Sequence, residues 1–153
     1  MDDRIERILR GELSWNEYFG LGHEVLTAMA AYGHNLYTQG RYEDAEKLFE
    51  GLKVLDRNSY YGYAGLGAIY LQRGEFAAAE AELRQAIELD PGQASLRANL
   101  FEALLRQSKL DEAVAAYEAA RELDPQGENE SVNRAGHLVA ALAGLATGSE
   151  ESR

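Results

Sequence analysis

The side chains of this chain that could make or break bonds are few and poorly arranged for it. A zinc-holding helix needs two histidines four residues apart beside a glutamate, and His23-Glu24 has no second histidine at that distance. The three histidines, His23, His34 and His137, lie far apart in the repeat map set out below, so they do not converge on a metal. The chain has no cysteine, which excludes disulfides, thiolate nucleophiles and cysteine-based zinc sites. Gly62, Gly65 and Gly67 invite a phosphate-loop reading, but no strand precedes them and their phase suits a helix. Acidic pairs such as Glu43-Asp44 and Asp111-Glu112 could serve acid–base chemistry. They stand where helices begin, and there negative charge simply complements the helix dipole. No catalytic residue, metal or cofactor is expected, and the chain reads as a binding protein rather than an enzyme.

The elements that would carry a binding surface are helices. Alanine and leucine abound and prolines number two, which favours helix. Hydrophobic residues make up 46% and charged residues 27% of the 153, enough to bury one sizeable core. No run approaches the roughly 18 apolar residues of a membrane span, and the charged start Met1-Asp2-Asp3-Arg4 does not resemble a signal peptide. A cytoplasmic location is expected. The net charge of −11 argues against nucleic acid and against anionic membranes, while permitting a basic partner.

The helices recur. Glu88-Leu89-Asp90-Pro91 and Glu122-Leu123-Asp124-Pro125 place their prolines 34 residues apart, and Val54-Leu55-Asp56-Arg57 stands one period earlier. Ala45, Ala79 and Ala113 share a phase, as do Phe49, Leu83 and Tyr117, and as do Gly40, Gly74 and Ser108. Tyr63, Leu66, Gly67, Tyr70, Gly74, Phe76, Ala79, Leu83, Ala86 and Pro91 make the second unit closest to the tetratricopeptide repeat (TPR) pattern. Across about two-thirds of its length the chain resembles TPR proteins. Arg57 in place of proline, Ser108 in place of glycine and bulky Phe101 where Gly33 and Gly67 stand depart from that pattern.

The resemblance implies an all-α, right-handed solenoid of helix pairs. Residues 26–127 are expected to carry three repeats, at 26–59, 60–93 and 94–127. Residues 1–25 form an N-terminal arm and a helix extension begun by the capping box Ser14-Trp15-Asn16-Glu17. Residues 128–147 form a C-terminal capping helix with an apolar stripe of Val132, Ala135, Leu138, Val139, Leu142 and Leu145. Residues 148–153 are expected to be a disordered tail.

In TPR proteins the first helix of each pair lines a concave groove. By position, the resemblance implies a groove of Thr27, Ala30, His34 and Tyr37, then Tyr61, Ala64, Ala68 and Leu71, then Ser95, Ala98, Glu102 and Leu105. Alanines leave room and tyrosines and leucines offer apolar walls, which suits an extended peptide or protein client. The lysines and asparagines with which some TPR proteins clamp a C-terminal carboxylate are missing at these positions. Acidic residues such as Glu46 and Glu50 are expected on the convex face.

The run from His34-Asn35-Leu36-Tyr37 through Gly40-Arg41-Tyr42-Glu43-Asp44-Ala45 to Val54-Leu55-Asp56 resembles one branch of the family, as does Tyr63-Ala64-Gly65-Leu66-Gly67-Ala68. That branch is the class II chaperones of type III secretion translocators. It implies a cytoplasmic chaperone gripping an extended apolar segment. Two alternatives stay open: a general TPR adaptor in a bacterial assembly, and a homo-oligomeric module, with a homodimer through the N-terminal region.

Overall fold

The computed structural model describes residues 3–148. Within them nine helices follow one another, with no strand: α1 (Asp3–Leu9), α2 (Trp15–Phe19), α3 (His23–Thr38), α4 (Tyr42–Leu55), α5 (Tyr60–Arg73), α6 (Phe76–Leu89), α7 (Ala94–Arg106), α8 (Leu110–Leu123) and α9 (Glu130–Gly148). From α3 to α9 each helix packs on the next. In addition α3 packs on α5, α5 on α7 and α7 on α9, while no comparable packing joins α4 to α6 or α6 to α8. The first helices of the pairs therefore stand closer together than the second ones. That difference curves the stack into a solenoid with α3, α5, α7 and α9 on the inner wall.

The 34-residue coincidences have clear physical work in this stack. Ala45, Ala79 and Ala113 are all but fully buried where the helices of a pair cross. A Cβ on Gly67 would lie 2.7 Å from Leu83 Cγ, so only glycine allows that crossing. In the third repeat both positions carry a large side chain. Phe101 takes the glycine position, is buried, and packs against Tyr117 with ring centroids 5.4 Å apart. Gly40 and Gly74 take left-handed φ of 75° between helices, and Ser108 takes the same turn at φ 60°, at a cost of about 1 kcal/mol relative to glycine. Two adjoining clusters make the core, one around Leu36, Phe49, Leu52 and Ile69, the other around Leu83, Leu100, Phe101 and Leu104.

Carboxylates at one recurring position tie the repeats together. Glu46 accepts an ion pair from Arg73 at 2.7 Å, and Glu80, one period later, receives Lys109 at 2.7 Å and Gln107 at 2.9 Å from the following turn. Glu46 is thus a linker between repeats and not a free convex-face charge.

The ends differ from expectation. The Ser14 capping box forms, with both reciprocal hydrogen bonds to Glu17, yet the helix it starts stops at Phe19. Gly20 adopts a left-handed φ of 64° and α3 begins afresh after Gly22, so α3 is not extended backwards through a continuous helix. The broken piece packs its own aromatics together, Trp15 stacked on Phe19 at 5.8 Å and Tyr18 edge-on to Phe19 at 5.2 Å. Arg57, in the place of a repeat proline, donates to the Ile8 carbonyl at 3.2 Å and so ties α1 to the turn after α4. At the other end Val132 and Ala135 are buried in the core, whereas Leu142 and Leu145 are exposed. With 19 residues, α9 is longer than α7, which has 13. Gly148 belongs to α9, and the tail expected over 149–153 lies outside the described residues.

Candidate functional site

The inner wall encloses a trough of about 630 Å³. It is lined by Ala30, His34 and Tyr37 of α3, by Tyr61, Ala64, Ala68 and Leu71 of α5, and by Ser95 and Glu102 of α7. The three other positions named from the sequence do not line it. Thr27 is exposed and donates its hydroxyl to the His23 carbonyl at 2.9 Å. Ala98 is buried in the core and Leu105 packs against that core. The reason is rotation: Ser95, Asn99 and Glu102 form the groove stripe of α7, at the four-then-three spacing of one helix face. Ala98 lies one residue from Asn99, about 100° round the helix, and Leu105 three residues from Glu102, about 60° round it.

The trough also contains residues that the repeat pattern does not point to. Phe49 belongs to α4, yet its ring reaches the floor because Gly33 and Gly65 have no side chains. A Cβ on Gly65 would come within 2.4 Å of the Phe49 ring, and one on Gly33 within 2.7 Å. Two glycines on successive inner helices facing one phenylalanine are the sequence signal for this. The capping helix supplies Glu130, Ser131 and Arg134, because α9 stands beside α7 as a fourth inner helix rather than as a lid on the core alone.

Aromatic contacts stiffen the apolar half. Tyr60 and Tyr61 lie 4.5 Å apart, Tyr37 and Tyr42 5.4 Å, and His34 stacks on Tyr37 at 6.3 Å. Burial raises the Tyr37 hydroxyl above its ordinary pKa, partly offset by a hydrogen bond with Gln72, so it stays neutral and available as a polar handle. The far half is polar: Arg134 donates to Asn99 Oδ1 at 3.1 Å and faces Glu102 at 3.7 Å. No group of three or more His, Asp or Glu side chains among the described residues converges as metal ligands would. No described helix is long and apolar enough to cross a membrane. What the arrangement offers is an elongated surface, apolar at one end and polar at the other, sized for an extended segment.

A tetratricopeptide repeat family model matches residues 31–94, 65–128 and 98–151. The chain belongs to the tetratricopeptide repeat family. This TPR protein is similar to low calcium response locus protein H of Yersinia pestis, 29% identical over 103 residues that cover 67% of this chain and 61% of that protein. The match thus spans less than two thirds of that relative's length. The fold is shared with a T3SS complex from Aeromonas hydrophila at a TM-score of 0.76 and 23% identity, over 94% of this chain and 97% of that one. PcrH in complex with the chaperone binding region of PopB is similar at a TM-score of 0.66 and 28% identity, over 77% of this chain and 97% of that one.

Proposed function

We propose that this TPR protein is a non-enzymatic, cytoplasmic chaperone that holds an extended apolar segment of a client protein in its groove. The observation that carries this reading is the trough itself, with walls of Tyr37, Tyr61 and Leu71 over a floor of small residues and Phe49. An extended strand of client presents side chains to such a surface at regular intervals, and the alanines leave space for its backbone. The similarity to PcrH, whose structure holds the chaperone binding region of PopB, supports a translocator-like client. The arrangement offers a sheltered surface rather than a reacting pair of groups, which supports binding over catalysis.

The test uses a client captured from the native cytoplasm, identified by mass spectrometry and then purified as a fragment. Tyr37→Ala and Tyr61→Ala should each weaken its binding in calorimetry by about tenfold or more, the scale of a buried aromatic anchor. Helical circular dichroism should be unchanged. Normal binding by both variants, with loss on altering the convex face or the N-terminal arm, would overturn the groove reading in favour of an adaptor.

A further inference from the structure

We propose that the polar end of the groove reads an acidic side chain of the client, through the guanidinium of Arg134. The inference rests on the groove reading above and adds to it the chemistry of the bound segment. Among the described residues lining the trough, Arg134 is the one guanidinium or ammonium group. Its side chain is 54% exposed, and among the described residues one of its five donors makes a hydrogen bond, Nη2 to Asn99 Oδ1 at 3.1 Å. Nε lies 3.7 Å from Glu102, an electrostatic contact beyond hydrogen-bond length. A rigid fork of donors is therefore held in the groove with most of its capacity unused, and a carboxylate is the group that such a fork pairs with in two parallel hydrogen bonds.

Asn99 and Glu102, one turn apart on α7, hold the fork in place from one side. The other faces of the guanidinium are open to a ligand. Glu102 and Glu130 oppose an incoming acid, yet the pairing at 3.7 Å is loose enough for a client carboxylate to take the stronger bidentate geometry. The chain carries a net charge of −11, but charges more than about 8 Å away are largely screened at physiological salt. The contact at the guanidinium decides.

The probe is a displayed library of random twelve-residue peptides, selected on the full chain and on its Arg134→Gln and Arg134→Glu variants. The unmodified protein should enrich peptides that combine apolar residues with an Asp or Glu. Arg134→Gln should lose the acidic preference, and Arg134→Glu should select Lys or Arg there instead. For the best synthetic peptide, replacing its acid by the amide should weaken binding about tenfold on the unmodified protein and leave binding to Arg134→Gln unchanged. Amidating the peptide's own C-terminus should change nothing. The inference falls if acids are not enriched, if the Arg134 variants select the same peptides, or if amidation abolishes binding. Selected peptides that bind the Tyr37→Ala and Tyr61→Ala variants normally would overturn the groove reading itself. Dependence on the tyrosines without dependence on Arg134 would overturn this inference alone. Circular dichroism of each variant guards against misfolding, which the exposure of Arg134 makes an easy condition to meet.

Discussion

Glu80 should make the junction between the second and third repeats sensitive to acid. Partial burial pushes the Glu80 carboxyl up, but hydrogen bonds from Lys109, Arg84 and Gln107 outweigh it and hold the group at about 2 against an ordinary 4.5. At about 1.4 kcal/mol per pH unit, that difference corresponds to about 3 kcal/mol of stability. Glu80 itself is shielded, with 12% of its side chain exposed, whereas Lys109 and Arg84 are 41% and 45% exposed. Solvent around those two partners screens the pairing, so the measurable contribution should be about 1–2 kcal/mol. Because the folded-state value is depressed, the contribution is complete above about pH 4.5 and is lost as pH falls towards 2. The assay is urea denaturation followed by circular dichroism at pH 7, 5, 4 and 3, on the unmodified chain and on Glu80→Gln. Subtracting one series from the other removes the titration of every other carboxylate. The difference should be about 1–2 kcal/mol at pH 7 and less than half of that at pH 3. A difference below about 0.5 kcal/mol at pH 7, or one that does not change between pH 7 and pH 3, would refute the argument.

Two further substitutions probe the packing. Leu83→Ala should cost about 2–5 kcal/mol in the same denaturation assay, since Leu83 is fully buried against Gly67; a cost below about 0.5 kcal/mol would contradict the helix crossing described. Gly65→Ala drives a methyl to within 2.4 Å of the Phe49 ring. It should cost about 1–3 kcal/mol by overpacking and weaken client binding in calorimetry by displacing the groove floor, and unchanged values of both would show that Phe49 yields freely.

The architecture was legible in the sequence because each repeat contacts mainly its neighbours. A motif recurring every 34 residues is then the same set of contacts made again. Ala79, Leu83 and Gly67 carry their reason in their phase: a small residue where axes cross, a large one beside it. The groove positions came instead from the resemblance to TPR proteins, and on α3 and α5 Tyr37, Tyr61, Ala64, Ala68 and Leu71 do line the trough. The departures were visible as letters but not as structures. Nothing local says that Arg57 holds α1, or that the rings of Phe101 and Tyr117 pack on each other across a helix pair, since both depend on partners elsewhere in the chain.

Only the tertiary structure decided the groove's floor and its far end. Phe49 lines the trough because of what two glycines on other helices lack, an effect of absent atoms that no periodic pattern records. On α7 a rotation of one residue moves Ala98 into the core and brings Asn99 to the surface of the trough, and helix orientation at that level is set by the packing of neighbours. Gly20 breaks the helix that the Ser14 capping box starts. A left-handed glycine also closes ordinary helices, and the sequence around it does not say which helix it ends. Arg134 reaches the groove because α9 takes the place of a fourth inner helix. The sequence alone determined that α9 would be an amphipathic helix; which polar residues it turns towards the groove was decided by its seat on α7, where burial of Val132 and Ala135 fixes its rotation.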